Sequence, residues 1–91
     1  MNLSKRLKTV ADCVTPGNVV ADVGTDHGYI PIYLAAHGIS PHVIAMDVNE
    51  GPLSTAGRNI SLNNVENLVS TRLSDGHKEL GTHEADTFII S

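Results

Sequence analysis

Short apolar runs alternate with segments of helical character along this chain, and that alternation limits its possible folds most. The runs are NVVADV (18–23), HVIAMD (42–47), LVSTRL (68–73) and DTFII (86–90). After the first run lies YIPIYLAAHG, a predicted helix with Pro31 acceptable in its first turn and Gly38 at its end. Another helix is predicted to begin at Pro52. Strands that alternate with helices form βαβ units, so we expect an α/β fold with a parallel sheet and right-handed crossovers.

An amphipathic helix is predicted before the first strand. Its apolar residues recur at helical spacing and form one stripe: Leu3, Leu7, Val10, Ala11 and Val14. Pro16 and Gly17 end it. We therefore expect residues 1–16 to form an N-terminal helix and residues 17–91 to form the βαβ units. The single cysteine, Cys13, is expected to be a small buried side chain beside this stripe.

The end of the chain bears on its domain organisation. Parallel sheets are normally covered on both faces, yet Ser91 directly follows the last apolar run. We therefore expect residues 1–91 to be the N-terminal portion of a larger domain, cut after the fourth strand. An unpaired sheet edge and an uncovered face would also favour self-association or low stability of the isolated chain.

Composition argues against several classes of protein. With one cysteine, the 91-residue chain has no intrachain disulfide framework, which suits a reducing compartment. No apolar run approaches the ~20 residues needed to cross a bilayer, and the N-terminus lacks the apolar stretch of a signal peptide. A formal net charge of −4 does not favour nucleic-acid binding by charge alone. We expect a cytoplasmic protein without a membrane partner.

Polar residues follow three successive predicted strands, at the end of the sheet where open α/β folds bind their ligands. They are Gly24-Thr25-Asp26-His27-Gly28 after the first strand, Asp47 at the end of the second and Ser74-Asp75-Gly76 after the third. Each has a structural alternative, since Gly24 permits a tight turn, Asp47 can cap a helix and Asp75-Gly76 is a common turn pair. Together, they favour a cofactor that contains a nucleoside.

The residue at position 26 helps to choose that cofactor. Dinucleotide-binding turns carry a second glycine two residues after the first, so that the backbone can approach a pyrophosphate. The carboxylate of Asp26 would repel a diphosphate there, and it suits a cofactor with a cationic end. S-adenosylmethionine has a sulfonium, an ammonium and no phosphate. Asp47 is then expected to accept hydrogen bonds from the ribose hydroxyls and Asp75 from the adenine amino group, with Gly76 near the ring.

The side chains of the first turn have alternative roles. Asp26 either contacts the cofactor ammonium, which we favour, or orients the amino group of an acceptor adenine. His27 is either an acid–base or RNA-contacting group or, as we favour, a turn histidine satisfied by neighbouring backbone. Tyr29 either stacks on a target base or belongs to the core.

The remaining histidines do not predict a metal site. They lie on separate elements without the ligand spacing of zinc centres, so we expect solvated surface residues. These are His37, His42, His77 and His83.

Five segments of the chain, in order and with matching gaps, carry a resemblance to one enzyme family. They are NLSKRL, ADVGTDHGYIPIYL, AMDVNEGPL, RLSDG and DTFII. Together they resemble the bacterial tRNA adenine-N1 methyltransferases that modify adenosine 22. The Asp-His pair inside the glycine turn, followed by Tyr-x-Pro, is more specific than the general methyltransferase motif Asp-x-Gly-x-Gly.

The resemblance implies a Rossmann-like class I methyltransferase fold, S-adenosylmethionine as methyl donor, and N1 of a tRNA adenosine as acceptor. We expect these residues to contact the cofactor: Asp22, Gly24, Asp26, His27, Gly28, Tyr29, Asp47, Val48, Asp75 and Gly76. No residue is assigned as catalytic. In the family a Gly-Met-Gly-Gly-like loop follows the fourth strand, whereas this chain stops one residue past that strand. The resemblance thus implies an active parent enzyme and leaves the activity of the 91-residue chain open.

Two other functions remain as alternatives. A nicotinamide-dependent oxidoreductase would use a similar sheet, but it calls for a second glycine where Asp26 stands. A cofactor-binding module without catalytic activity fits the abrupt end of the chain at Ser91.

Overall fold

The computed structural model describes residues 5–73 and 85–90, which form three helices and four strands. In chain order these are α1 (Lys5–Asp12), β1 (Val20–Val23), α2 (Tyr29–Ala36), β2 (Val43–Asp47), α3 (Glu50–Leu62), β3 (Val69–Leu73) and β4 (Thr87–Ile90). Each strand begins one or two residues later than its apolar run. Helix α3 begins two residues before Pro52, which is tolerated because the first turn of a helix needs no N–H donor from that residue.

All four strands are parallel and lie in the order β3-β2-β1-β4. The predicted parallel sheet of βαβ units is confirmed. The register places Val23, the last residue of β1, beside Met46 of β2 and Ile90 of β4. The strand order therefore reverses direction next to β1, so the carboxyl end of β1 is the topological switch point where such sheets bind ligands.

The central strands are buried on both faces, which explains why their sequences are almost continuously apolar. Val20 and Val43 belong to a large cluster that also contains buried residues of α1, α2 and α3. Their neighbours Ala21 and Ile44 belong to a second cluster with Met46. Since successive strand residues point to opposite faces, the three helices all lie on the face of the large cluster.

Cys13 corrects one sequence-based expectation, because its side chain is exposed. Helix α1 ends at Asp12, and position 13 lies off the apolar stripe, so the cysteine faces solvent. Ala11 and Val14 on either side are buried as expected.

The start of α2 packs closely against α3 at Gly28. This glycine has a φ of 79°, and a Cβ added to it would lie 3.1 Å from the Cβ of the fully buried Ala56. A side chain is therefore opposed both by the left-handed backbone conformation and by contact with the second helix. Gly38, beyond the other end of α2, has a φ of 67° but no atom within 4 Å of such a Cβ.

We expect Gly28→Ala to destabilise the protein more than Gly38→Ala. The left-handed conformation costs either variant about 1–2 kcal/mol, and the contact with Ala56 adds about 1–3 kcal/mol for Gly28→Ala alone. The free energy of unfolding, measured by denaturant titration of both variants, checks this. Equal losses would show that α3 can move away from the added methyl group.

Candidate functional site

The turn after β1 is built from alternating left-handed residues. Gly24, Asp26 and Gly28 have φ values of 72°, 56° and 79°. Glycine adopts this conformation without steric cost, and aspartate is one of the few other residues that tolerate it. The sequence Gly-Thr-Asp-His-Gly therefore matches the backbone of the turn residue by residue.

Strand β2 holds the first half of this turn. The Thr25 N–H donates to the Met46 carbonyl at 2.9 Å, and the Asp26 N–H lies 3.4 Å from Oδ2 of Asp47. The other carboxylate oxygen of Asp47 accepts a hydrogen bond from the Asn49 N–H at 2.9 Å. Asp47 is 7% exposed, so its buried charge is offset by these backbone donors.

The structural alternative for Asp47 was that it caps the following helix, and the structure shows that it is not the N-cap. Asn49, not Asp47, is the N-cap of α3, and its side chain makes no capping hydrogen bond. Asp47 instead fixes the backbone that leads into the helix. A carboxylate has about four acceptor sites, so two further hydrogen bonds to a ligand remain possible.

Helix α3 holds the second half of the turn. Nδ2 of Asn59 donates to the His27 carbonyl at 2.9 Å, and Ala56 packs against Gly28. The sequence did not reveal either contact, because Asn59 lies 32 residues from its partner and has no motif around it. These residues support the site from behind.

Asp26, His27 and Tyr29 contact one another in series on the surface of the turn. Nδ1 of His27 lies 3.1 Å from Oδ2 of Asp26, and the two side chains are 47% and 68% exposed. The His27 ring stacks on Tyr29 with centroids 5.2 Å apart and ring planes 11° from parallel. The expectation that neighbouring backbone satisfies the His27 side chain was wrong: its partners are a carboxylate and an aromatic ring. Tyr29 opens α2 and is 39% exposed, so it does not belong to the core.

The other predicted contacts are distributed around this edge of the sheet. Asp22 is fully buried within β1, and Val48 is 59% exposed directly after β2. Thr25, which the sequence did not single out, is buried, and its hydroxyl has no hydrogen-bond partner within the described ranges. Asp75 and Gly76 lie outside the described residues, as do Ser74, His77 and His83.

Two of the remaining histidines are described. His37 is exposed, but His42 is half-buried with Nε2 3.1 Å from the Ser70 hydroxyl, so for His42 the expected solvated position was wrong. Within residues 5–73 and 85–90, no three histidine, cysteine or carboxylate side chains are grouped to hold a metal ion. No helix in those same ranges is long and apolar enough to span a membrane.

A family comparison places this geometry among known proteins. Residues 3–91 match the model of a methyltransferase domain. The chain belongs to the methyltransferase domain family.

Individual members of this family are similar over the whole chain. The tRNA (adenine(22)-N(1))-methyltransferase of Bacillus subtilis (strain 168) is 35% identical over 91 residues, covering 100% of this chain and 38% of that protein. The Sp1610 protein of Streptococcus pneumoniae, solved in complex with S-adenosyl-L-methionine, has a TM-score of 0.92 and 34% identity, covering 99% of this chain and 42% of that chain.

TrmK of M. capricolum, solved in complex with S-adenosyl-homocysteine, has a TM-score of 0.86 and 34% identity. Its alignment covers 97% of this chain and 40% of that chain. The predicted Rossmann-like methyltransferase fold and the resemblance to tRNA adenine-N1 methyltransferases are thus confirmed. This chain spans less than half the length of these relatives.

Replacement of Asn59 tests the support from α3. We expect Asn59→Ala to lower the free energy of unfolding by about 0.5–1.5 kcal/mol, the usual contribution of one hydrogen bond. The amide of Gly28, which donates to the Thr25 carbonyl in the turn, should also exchange its hydrogen faster.

Asn63→Ala is the matched control for this variant. It removes a 2.8 Å side-chain hydrogen bond to the Asn59 carbonyl at the end of α3, away from the turn. Its Gly28 amide should exchange at the wild-type rate. The same acceleration in both variants would mean that α3 acts through its overall stability.

Proposed function

We propose that the protein carrying this chain is an S-adenosylmethionine-dependent methyltransferase that modifies N1 of an adenosine in tRNA. The observation that carries the proposal is the contact between the glycine turn and Asp47 at the switch point of the sheet. This contact joins the turn that carries Asp26 to the buried carboxylate of Asp47 at the end of β2. Similarity to a tRNA (adenine(22)-N(1))-methyltransferase and to structures with bound S-adenosylmethionine or S-adenosyl-homocysteine supports it.

The residues present fit the nucleoside part of this cofactor. Asp47 lies at the carboxyl end of β2 with acceptor sites left for the two ribose hydroxyls. The exposed apolar side chain of Val48 follows it and would pack against the adenine ring. Gly24 lets the backbone pass close to the ligand at the end of β1. Asp75 and Gly76 remain predicted contacts of the adenine.

The charge of the turn fits the methionine part of the cofactor better than it fits a pyrophosphate. The exposed Asp26 and the buried Asp47 place two carboxylates at the turn, and Glu50 lies in the first turn of α3. Negative groups at this position repel phosphates and attract an ammonium or a sulfonium. This argues against the nicotinamide-dependent alternative.

Bound S-adenosylmethionine would supply a methyl group activated by the positive sulfur. Adenine N1 has a lone pair, so it can attack the methyl carbon without prior removal of a proton. The positive charge would pass from the sulfur to the methylated adenine, so no side chain of the site would have to remove a proton. The protein therefore acts chiefly by positioning the two groups in line and by favourable electrostatics.

The target atom also determines how the RNA must be presented. N1 of adenine lies on the edge that pairs with another base, so a paired or stacked adenosine must first be exposed. The proposed acceptor would place the activity in the cytoplasm. The alternative is a module of the same fold that binds the cofactor without catalysis.

Calorimetric titration of S-adenosylmethionine into the protein tests the cofactor site. We expect saturable binding and no response to NAD. Asp47→Ala should weaken binding by at least about tenfold, because it removes a charged acceptor of ribose hydrogen bonds. Absence of binding to the folded wild-type protein, or preference for NAD, would contradict the cofactor assignment.

Asp86→Ala serves as the matched control. The Asp86 carboxylate also accepts a backbone hydrogen bond, from Val19 at 2.9 Å, but at the opposite, amino end of the sheet. Asp86→Ala removes a carboxylate that holds the backbone in an exposed position, and this variant should keep wild-type affinity for the cofactor. Equal loss of affinity in both variants would show that Asp47 acts only through folding.

Methylation of tRNA separates the enzyme from the binding module. Purified protein, S-adenosylmethionine labelled in the methyl group and unmodified tRNA should yield 1-methyladenosine, identified after nuclease digestion. Cofactor binding without any labelled nucleoside would favour the non-catalytic alternative.

A further inference from the structure

The chain has three aromatic residues, and the structure gives them different environments. Tyr33 is half-buried and packs against the main core, and Phe88 lies on β4. Tyr29 alone is at the candidate site, where its ring is stacked on His27. The pair occupies the start of α2, beside the switch point.

This pair of rings is held in place by its surroundings. Asp26 lies against the edge of the His27 ring at Nδ1, so it fixes the ring without covering its faces. The backbone beneath is fixed by the Asp26 N–H to Asp47 and by the Asn59 amide to the His27 carbonyl. His27 and Tyr29 nevertheless stay 47% and 39% exposed. Nearly parallel, exposed rings form a surface on which a further flat ring can stack.

The charge around the pair selects what can approach it. Carboxylates of Asp26 and Asp47 flank the turn. A nucleic-acid phosphate would be repelled there, whereas a neutral base would not. The amino group of an adenine could also donate to the exposed oxygens of Asp26.

We propose that the stacked His27–Tyr29 pair, held by Asp26, is the surface on which the target adenine of the RNA stacks. The proposal rests on the proposed function and adds which residues receive the acceptor. It reassigns His27 and Tyr29 from the predicted cofactor contacts to the acceptor side, and it gives Asp26 a positioning role. An exposed pair suits a base that arrives from solvent, whereas the cofactor nucleoside is bound through the buried Asp47.

Kinetics of tRNA methylation test the proposal. Tyr29→Ala and His27→Ala should each raise KM for tRNA by about 5- to 100-fold, the value of one base–aromatic stack, while the dissociation constant for S-adenosylmethionine stays unchanged. Tyr29→Phe should restore most of the loss, since stacking does not need the hydroxyl.

A matched pair at the other end of α2 provides the control. Tyr33 and His37 also contact each other, with centroids 4.3 Å apart and ring planes at 33°, but at the amino edge of the sheet. His37→Ala removes an exposed ring of the same kind and should leave KM for tRNA at the wild-type value.

A spectroscopic readout tests stacking without catalysis. The fluorescent base 2-aminopurine can replace the adenosine of the tRNA that is to be methylated. Its fluorescence falls when it stacks on an aromatic ring. In the presence of S-adenosyl-homocysteine, saturating wild-type protein and Tyr29→Phe should quench it. Tyr29→Ala should leave it bright at saturating protein.

The outcomes separate this proposal from the function on which it rests. Wild-type protein that binds cofactor but leaves tRNA unmethylated contradicts the proposed function, and the stacking proposal falls with it. An active wild-type enzyme whose KM and 2-aminopurine signal do not depend on either ring overturns the stacking proposal alone. Loss of cofactor affinity in Tyr29→Ala, with KM for tRNA unchanged, also overturns it and assigns the rings to the cofactor.

Discussion

The carboxylate of Asp47 holds together two loops at the carboxyl end of the sheet, the turn after β1 and the segment that leads into α3. One oxygen faces the backbone N–H of Asp26 in the turn after β1, and the other accepts from Asn49 at the start of α3. A buried carboxylate is costly unless donors surround it. The same donors that make its burial tolerable therefore fix two loops relative to the end of β2, and a ligand meets a site that is already arranged.

The two helices beside the sheet extend this arrangement into the core. Gly28 allows the start of α2 to approach Ala56, and that approach brings Asn59 within hydrogen-bonding distance of the His27 carbonyl. A larger residue at either contact would move the turn as well as the helix. Stability and site geometry are consequently linked through α3, although α3 contributes no predicted ligand contact of its own.

Sequence patterns predicted the elements well because each depends on neighbouring residues. The apolar runs gave all four strands, and the glycines of the turn matched its left-handed backbone. The order β3-β2-β1-β4 was not predicted in detail, since it depends on where each crossover returns to the sheet. The exposure of Cys13 was missed because the prediction followed the usual burial of cysteine, whereas position 13 lies off the helical stripe.

Within the site, the sequence identified residue types more reliably than partners. It selected Asp26, His27 and Tyr29 individually, but it offered backbone as the partner of His27 and left Tyr29 undecided. Their mutual contacts depend on the positive φ of Asp26 and on the start of α2, which together bring side chains one and two residues apart onto one surface. Such contacts follow from the turn's conformation, and single-residue preferences do not specify them.

If the proposed function is right, the distribution of charge bears on how recognition of the RNA would be divided. Attraction of an RNA backbone requires positive charge, whereas the turn at this site carries the carboxylates of Asp26 and Asp47. The site can therefore favour a base that has been separated from its neighbours, while it disfavours the phosphates that accompany it. Under the proposed function, affinity for the RNA as a whole and selection of the base would then be carried by different surfaces, and the His27–Tyr29 pair would serve the selection.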